Sequence, residues 1–215
     1  MRKRFIAVAL VLTSCIGAES ALAQFKSQPG ATQFGVVGGA NFATFTGSDA
    51  SGATTRTGFY GGLSLTMGLG GSLFFQPQAL YSMKGATASD SGVTGEYKLD
   101  YIEVPLLLGL RVPLRGSNIR PYLVAGPTLA YLASCKVKAS FGGISVEAKC
   151  SGSGSGTSNF DASLAVGGGV ELPMGRGLLA LSARFAMGIT KPFEGTNMRN
   201  SVISVGAGYY FPTSR

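Results

Sequence analysis

Apolar and polar positions alternate along most of the chain, and the alternation is cleanest over residues 97–112. Ile102, Val104, Leu106, Leu108, Leu110 and Val112 form one unbroken apolar face, and Tyr101, Glu103, Pro105, Leu107, Gly109 and Arg111 form the other. Period two sends successive side chains to opposite sides of an extended strand. A strand in a soluble sandwich alternates in the same way, so length has to decide. These sixteen residues, at about 3.3 Å each, far exceed the five or six of a soluble strand. They suit a tilted strand that crosses a bilayer in about 9 to 11 residues and projects beyond it.

The same period predicts seven further strands, over 33–43, 57–67, 71–84, 119–134, 160–172, about 179–190 and 197–211. Their connections alternate in length. The expected loops 44–56, 85–95, 135–158 and 191–196 are longer than the turns at 68–70, 113–118 and 173–176. Eight strands in that order put both termini on the side of the short turns. An even count with this asymmetry predicts an all-β fold, an eight-stranded antiparallel transmembrane β-barrel with short periplasmic turns and longer extracellular loops. Aromatics near strand ends, among them Phe34, Phe59, Tyr131, Tyr209 and Phe211, suit the two membrane interfaces. Pro77, Pro105 and Pro127 fall inside expected strands. A closed barrel has no edge to receive them, so a local bulge is expected at Pro77.

Composition supports a membrane chain. Charged residues are 13% of the sequence, against about 25% in soluble domains, while 45% is hydrophobic. No apolar run after the first 23 residues is long enough for a transmembrane helix. The first 23 residues read as a signal peptide, with Arg2, Lys3 and Arg4 before an apolar stretch and Ala21-Leu22-Ala23 before Gln24. Leu12-Thr13-Ser14-Cys15 resembles a lipobox and offers a second processing route. Residues 24–32 are a short polar lead, 33–211 the barrel and 212–215 a tail.

Cleavage after Ala23 removes Cys15 and leaves Cys135 and Cys150, an even pair that an oxidising compartment would let close. Two independent thiols are the other reading. Cleavage also takes Arg2, Lys3, Arg4 and Glu19 from 18 basic and 10 acidic residues. The mature chain then holds 15 and 9, a net charge of +6. The basic residues form no stripe with aromatics, so nucleic acid is not an expected partner.

The inward polar candidates are Gln76, Gln78, Lys84, Glu103, Arg111, Arg120, Asp161, Glu171 and Arg184. An eight-stranded barrel is narrow enough for side chains to fill. A paired interior is therefore expected, with Glu103 and Glu171 met by Arg111, Arg120 or Arg184. The competing reading is a narrow or gated pathway. With no histidine in the chain, a His-assisted hydrolase is excluded. No cofactor or metal site is expected, and no enzyme. The Gly-rich GVVGG and GAGYY lie within strands, outside the strand–turn–helix setting of a phosphate loop.

Three passages carry a family resemblance: FGVVGGANFATF, YIEVPLLLGLRV with the following RPYLVAGP, and the closing VISVGAGYYF. On these the chain resembles the small outer-membrane β-barrel proteins of Gram-negative bacteria. More narrowly, it is similar to the PorT-like, porin-family "outer membrane protein beta-barrel domain" group. Tyr101 to Pro105 match its fourth-strand string and Asn41 the asparagine of its first strand. The resemblance implies an outer-membrane location with periplasmic termini, contact with membrane lipid and lipopolysaccharide, and assembly by barrel-assembly machinery. The aromatic end signal is displaced here, since Pro212 to Arg215 follow Phe211. The implied role is structural or surface-interacting through the four longer loops, with a porin-like channel as the alternative.

Overall fold

The computed structural model describes residues 32–50, 52–90, 93–114, 116–141, 144–150, 158–192, 195 and 197–212. The expected signal peptide, nearly all of the 24–32 lead, and residues 213–215 lie outside the described residues. Nine strands follow one another: β1 Thr32–Thr46, β2 Ala53–Gly70, β3 Leu73–Asp90, β4 Val93–Arg111, β5 Arg120–Phe141, β6 Ile144–Lys149, β7 Phe160–Met174, β8 Gly177–Gly188 and β9 Arg199–Pro212. Eight of them form a ring of antiparallel neighbours, closed where β1 pairs with β9 and β4 with β5. β6 stands outside the ring. It pairs with β5 over 136–141, above the point where β5 leaves β7.

Alternation sorts the two faces. Along β4, Tyr101, Glu103 and Leu107 are buried, while Ile102, Val104 and Leu108 are exposed. Phe59 at 65% and Leu123 at 59% show how far the exterior is bare of cover. A continuous apolar outside around a partly polar inside reverses a soluble barrel and matches a lipid-facing one.

The strands run further than the apolar pattern predicts. The expected loop 44–56 holds the ends of β1 and β2, leaving 47–52 between them. In 85–95, β3 and β4 continue until 91–92, and 135–158 contains the end of β5 and all of β6. In these stretches the outward positions are polar, Thr46, Thr87, Lys136 and Lys138 among them, so the apolar face ends before the strands do.

The expected bulge at Pro77 is absent. β3 keeps one register with β4 through Pro77, and its pairing with β2 passes from Ser64↔Gln78 to Met67↔Phe75 in the same register. Proline lacks only its N–H, so the sheet omits a bond there without inserting a residue. Irregularities fall instead between Thr55 and Tyr60, between Gly68 and Gly70, and at Asp100–Tyr101. In the last, Asp100 pairs with Ser134 and Tyr101 with Leu132, leaving Ala133 as the extra residue. One extra residue exchanges the faces of the bulged strand. Below Ala133 the even positions of β5 point inward; above it the odd ones do, so Cys135 faces in beside Leu99.

Candidate functional site

Two places hold the chemistry that the sequence offers, the barrel interior and the hairpin above it. The interior is layered. Toward the short-turn end Phe74, Leu107, Tyr122, Val124, Leu178 and Tyr210 form one apolar cluster. Toward the other end Phe45, Leu99, Tyr101 and Ala130 form a second, with Leu132 and Met198 packed on it. The polar groups lie between these clusters and beside them.

At the short-turn rim Arg111 holds Glu171 by two bonds, Nε to Oε2 and Nη2 to Oε1, both 2.9 Å. The guanidinium lies 4.4 Å over the Phe74 ring. Gly109 makes this possible, because a Cβ there would run into the Phe74 ring. Arg120 stands opposite Glu171 in the β5–β7 register yet is exposed at the rim. It is not part of the interior network that the sequence suggests, because its strand position is the first above the turn.

In the middle, Gln76 donates to Thr66 Oγ1 at 3.0 Å and to the Tyr210 hydroxyl at 3.1 Å. Arg184 Nη1 donates to Gln78 Oε1 at 3.0 Å, and Gln78 Nε2 donates to Gln76 Oε1 at 3.3 Å. A cavity of about 30 Å³ lies among Tyr60, Gln76, Gln78, Tyr122, Arg184 and Tyr210. That is room for about one or two waters. Glu103 is met by Lys84 and not by an arginine. The β3–β4 register sets Lys84 opposite Leu99 and Glu103 opposite Leu80, so the long lysine reaches diagonally, its Nζ 5.5 Å from the Tyr101 ring centre.

Among the described residues Asp161 has no arginine either. Thr190 Oγ1 donates to its Oδ1 at 2.6 Å and Asn200 Nδ2 to its Oδ2 at 2.7 Å. Asn41 ties the seam: Ser204 Oγ donates to its Oδ1 at 2.7 Å, and its Nδ2 donates to Ser82 Oγ at 2.9 Å. Asn200, Ser204, Ser82 and Tyr210 were not among the sequence candidates. Their signal was there, since each is polar or hydroxyl-bearing at a position of inward parity on its own strand.

Above the ring, Cys135 and Cys150 form a disulfide with Cα atoms 5.3 Å apart. On the outward face of the same hairpin Glu147 takes Lys98 at 2.8 Å and Lys136 at 3.0 Å. These bonds, first from Lys98 and then from Lys136, hold the Glu147 carboxyl down at about 2. Asp49, lowered by the backbone N–H of Asn197 and the Ser48 hydroxyl, ties the 47–52 loop to the loop before β9. Among the described residues no cluster of three or more His, Cys, Asp or Glu is placed to hold a metal.

A family model described as "Outer membrane protein beta-barrel domain" matches residues 22–194. No curated protein matches the sequence. Among solved structures the chain is similar to Neisserial surface protein A, at 18% identity over 84% of this chain and 97% of that one, with a TM-score of 0.48. It is also similar to Ail, the attachment invasion locus protein of Yersinia pestis, at 16% identity over 86% and 100%, TM-score 0.44. The N-terminal β-barrel domain of Pseudomonas aeruginosa OprF follows at 11% identity over 85% and 99%, TM-score 0.38. These likenesses carry no functional conclusion.

Proposed function

Because the chain belongs to the outer membrane protein beta-barrel domain family, we propose that it is a non-enzymatic barrel acting through its outer surface, with a sealed lumen. One observation carries this reading. The two apolar clusters occupy successive levels of the bore, and the charged groups between and beside them are taken up by each other or, for Asp161 and Arg184, by neutral polar side chains. Ions crossing such a bore would have to displace packed aromatic rings and separate buried charge pairs, which is costly. The alternative, a porin-like path, has the roughly 30 Å³ cavity in its favour, but Leu107, Val124 and Ala180 are part of its lining and it has room for no more than a water or two.

The same reading places both termini in the periplasm, because β1 starts and β9 ends on the side of the short turns. It takes 1–23 as a signal peptide, bacterial lipid and lipopolysaccharide as the surroundings, and barrel-assembly machinery as the route in. The narrower PorT-like affiliation rests on Tyr101 to Pro105 and on Asn41, whose side chain bridges β3 and β9.

The test is single-channel recording of the chain, purified from outer membranes, in a planar bilayer across a range of voltage. No current steps are expected while heat-dependent gel mobility shows the barrel folded in the same sample. Reproducible steps that shift in size with Lys84→Ala or Arg184→Ala would replace the sealed reading with the channel.

A further inference from the structure

Past the Ala133 bulge the sheet wears its polarity the other way round. Within the ring the outward face is apolar. Above it, the outward positions of β4, β5 and β6 hold Lys98, Lys136, Lys138, Glu147 and Lys149, while Tyr97, Val137 and Ala148 share the inward face. Ile144 and Val146 lie on that inward face at 74% and 66% exposure, and Phe141 beside them at 65%. The hairpin is therefore an amphipathic ribbon whose apolar side is uncovered at Phe141, Ile144 and Val146.

Its outer edge is open as well. Among the described strands β6 has β5 as its single neighbour. Cys150 N–H donates to Cys135 C=O at 3.1 Å, which marks that opposed pair as a hydrogen-bonded one. Bonded and non-bonded pairs alternate along an antiparallel ladder. The bonded pairs above it are therefore Val137 with Ala148, Ala139 with Val146 and Phe141 with Ile144. The N–H and C=O groups of Ser145, Glu147 and Lys149 then point away from β5. Shortness and charge usually blunt such an edge, and β6 has both. Neither covers Ile144 and Val146.

We propose that β6 accepts an added strand: an extended segment of a partner protein whose alternate side chains are apolar and acidic. The apolar ones extend the inner face beside Ile144 and Val146; the acidic ones lie outward toward Lys149, Lys136 and Lys138. Charge fixes the sign of the partner, since four outward lysines of β4–β6 stand against Glu96, Glu147 and Asp100, the last at the bulge and two strands from the β6 edge, and Glu147 is already shared by Lys98 and Lys136. Main-chain bonds supply the affinity in this mode and alternate side chains the selectivity. The disulfide at the base of β6 and its ladder with β5 hold the edge ready, so the ordering cost falls on the partner alone. This inference rests on the surface reading above.

The test uses the whole chain folded in detergent and a fluorescent ten-residue peptide alternating valine with glutamate. A peptide of the same composition, with its valines and glutamates in two blocks, is the control. The alternating peptide is expected to bind at least tenfold more tightly than the blocked one. Amide exchange should slow at Ser145, Glu147 and Lys149 and stay unchanged at Val146. Ser145→Pro removes one edge donor and no β5 bond, which strand edges tolerate; it should weaken binding at least tenfold with the barrel intact. Equal binding of the two peptides, or undiminished binding to Ser145→Pro, overturns the proposal. So does self-association of the chain through β6 with no uptake of peptide. Conduction in the bilayer would sink the surface reading and leave these binding results standing by themselves.

Discussion

Replacing Arg111 with methionine removes the charge that holds Glu171 while keeping most of the apolar stem. The Glu171 side chain is 7% exposed and that of Arg111 15%, so the pair is nearly out of water and joined at both oxygens. Breaking a buried pair from one side costs about 3–5 kcal/mol, because the remaining charge stays desolvated. Losing the guanidinium from the Phe74 face adds about 0.5–1 kcal/mol. The pair lies at the rim, where a shifted carboxylate finds some water, so we expect about 3 kcal/mol in total. Arg111→Lys keeps the charge but cannot reach both oxygens, and should fall between. Arg111→Met with Glu171→Leu removes both charges and should return to within about 1 kcal/mol of the parent. The assay is equilibrium unfolding in guanidinium with the barrel in lipid vesicles, read as a double-mutant cycle. A cost below about 1 kcal/mol for Arg111→Met alone, the value of an exposed pair, would mean that water fills the bore and that the sealed interior is wrong.

Two further outcomes concern the hairpin. Cys135→Ser with Cys150→Ser opens a closure of 15 residues, worth about 3 kcal/mol. Amides over 136–149 should therefore exchange on the order of 100-fold faster, while the unfolding midpoint of the ring stays put; a midpoint that moves with them would show that the two are one unit. Glu147 should titrate near 2 by carboxyl NMR, against its usual 4.5. A carboxyl lowered in the folded state gives stability that is present above the unfolded value and lost as pH falls through the folded one. The stability that the contacts to Lys98 and Lys136 contribute should thus be undiminished at pH 5 and fade between about 4.5 and 2, and a Glu147 midpoint near 4.5 would show them to be absent in solution.

The number, order and facing of the eight ring strands were legible because lipid enforces a strict period of two, while β6 lay inside an expected loop. Residues 97–112 show it at its plainest, and the structure adds β4 residues only where the outward face turns to Thr94 and Glu96. What stayed hidden depends on register. Nothing in the sequence tells whether Glu103 meets Lys84 or an arginine, since that hangs on which residues of β3 and β4 stand opposite. Arg120 has inward parity and is still exposed, because parity says nothing about height along the axis. The Ala133 bulge was equally silent: an alanine between Leu132 and Ser134 carries no local mark, and prolines, the expected sites of irregularity, leave the register intact. Asn200 and Ser204 were readable in principle, once inward polar positions on the last strand are weighed as heavily as charged ones.

The seam between β1 and β9 has a bearing on how the molecule comes into being. The last strand to leave the ribosome carries Asn200, Ser204 and Tyr210, and these are the groups that Asp161, Asn41 and Gln76 lean on. A nascent barrel that has seven walls in place has therefore already drawn these three side chains inward, each with its bonds to earlier elements made and its β9 bond still missing. Each is an unmet demand of about 1–3 kcal/mol, and all three are met in the one event of closure. Half-built intermediates are thus held at a disadvantage until the final wall arrives, and the finished ring is sealed from within by the same contacts that reward its completion.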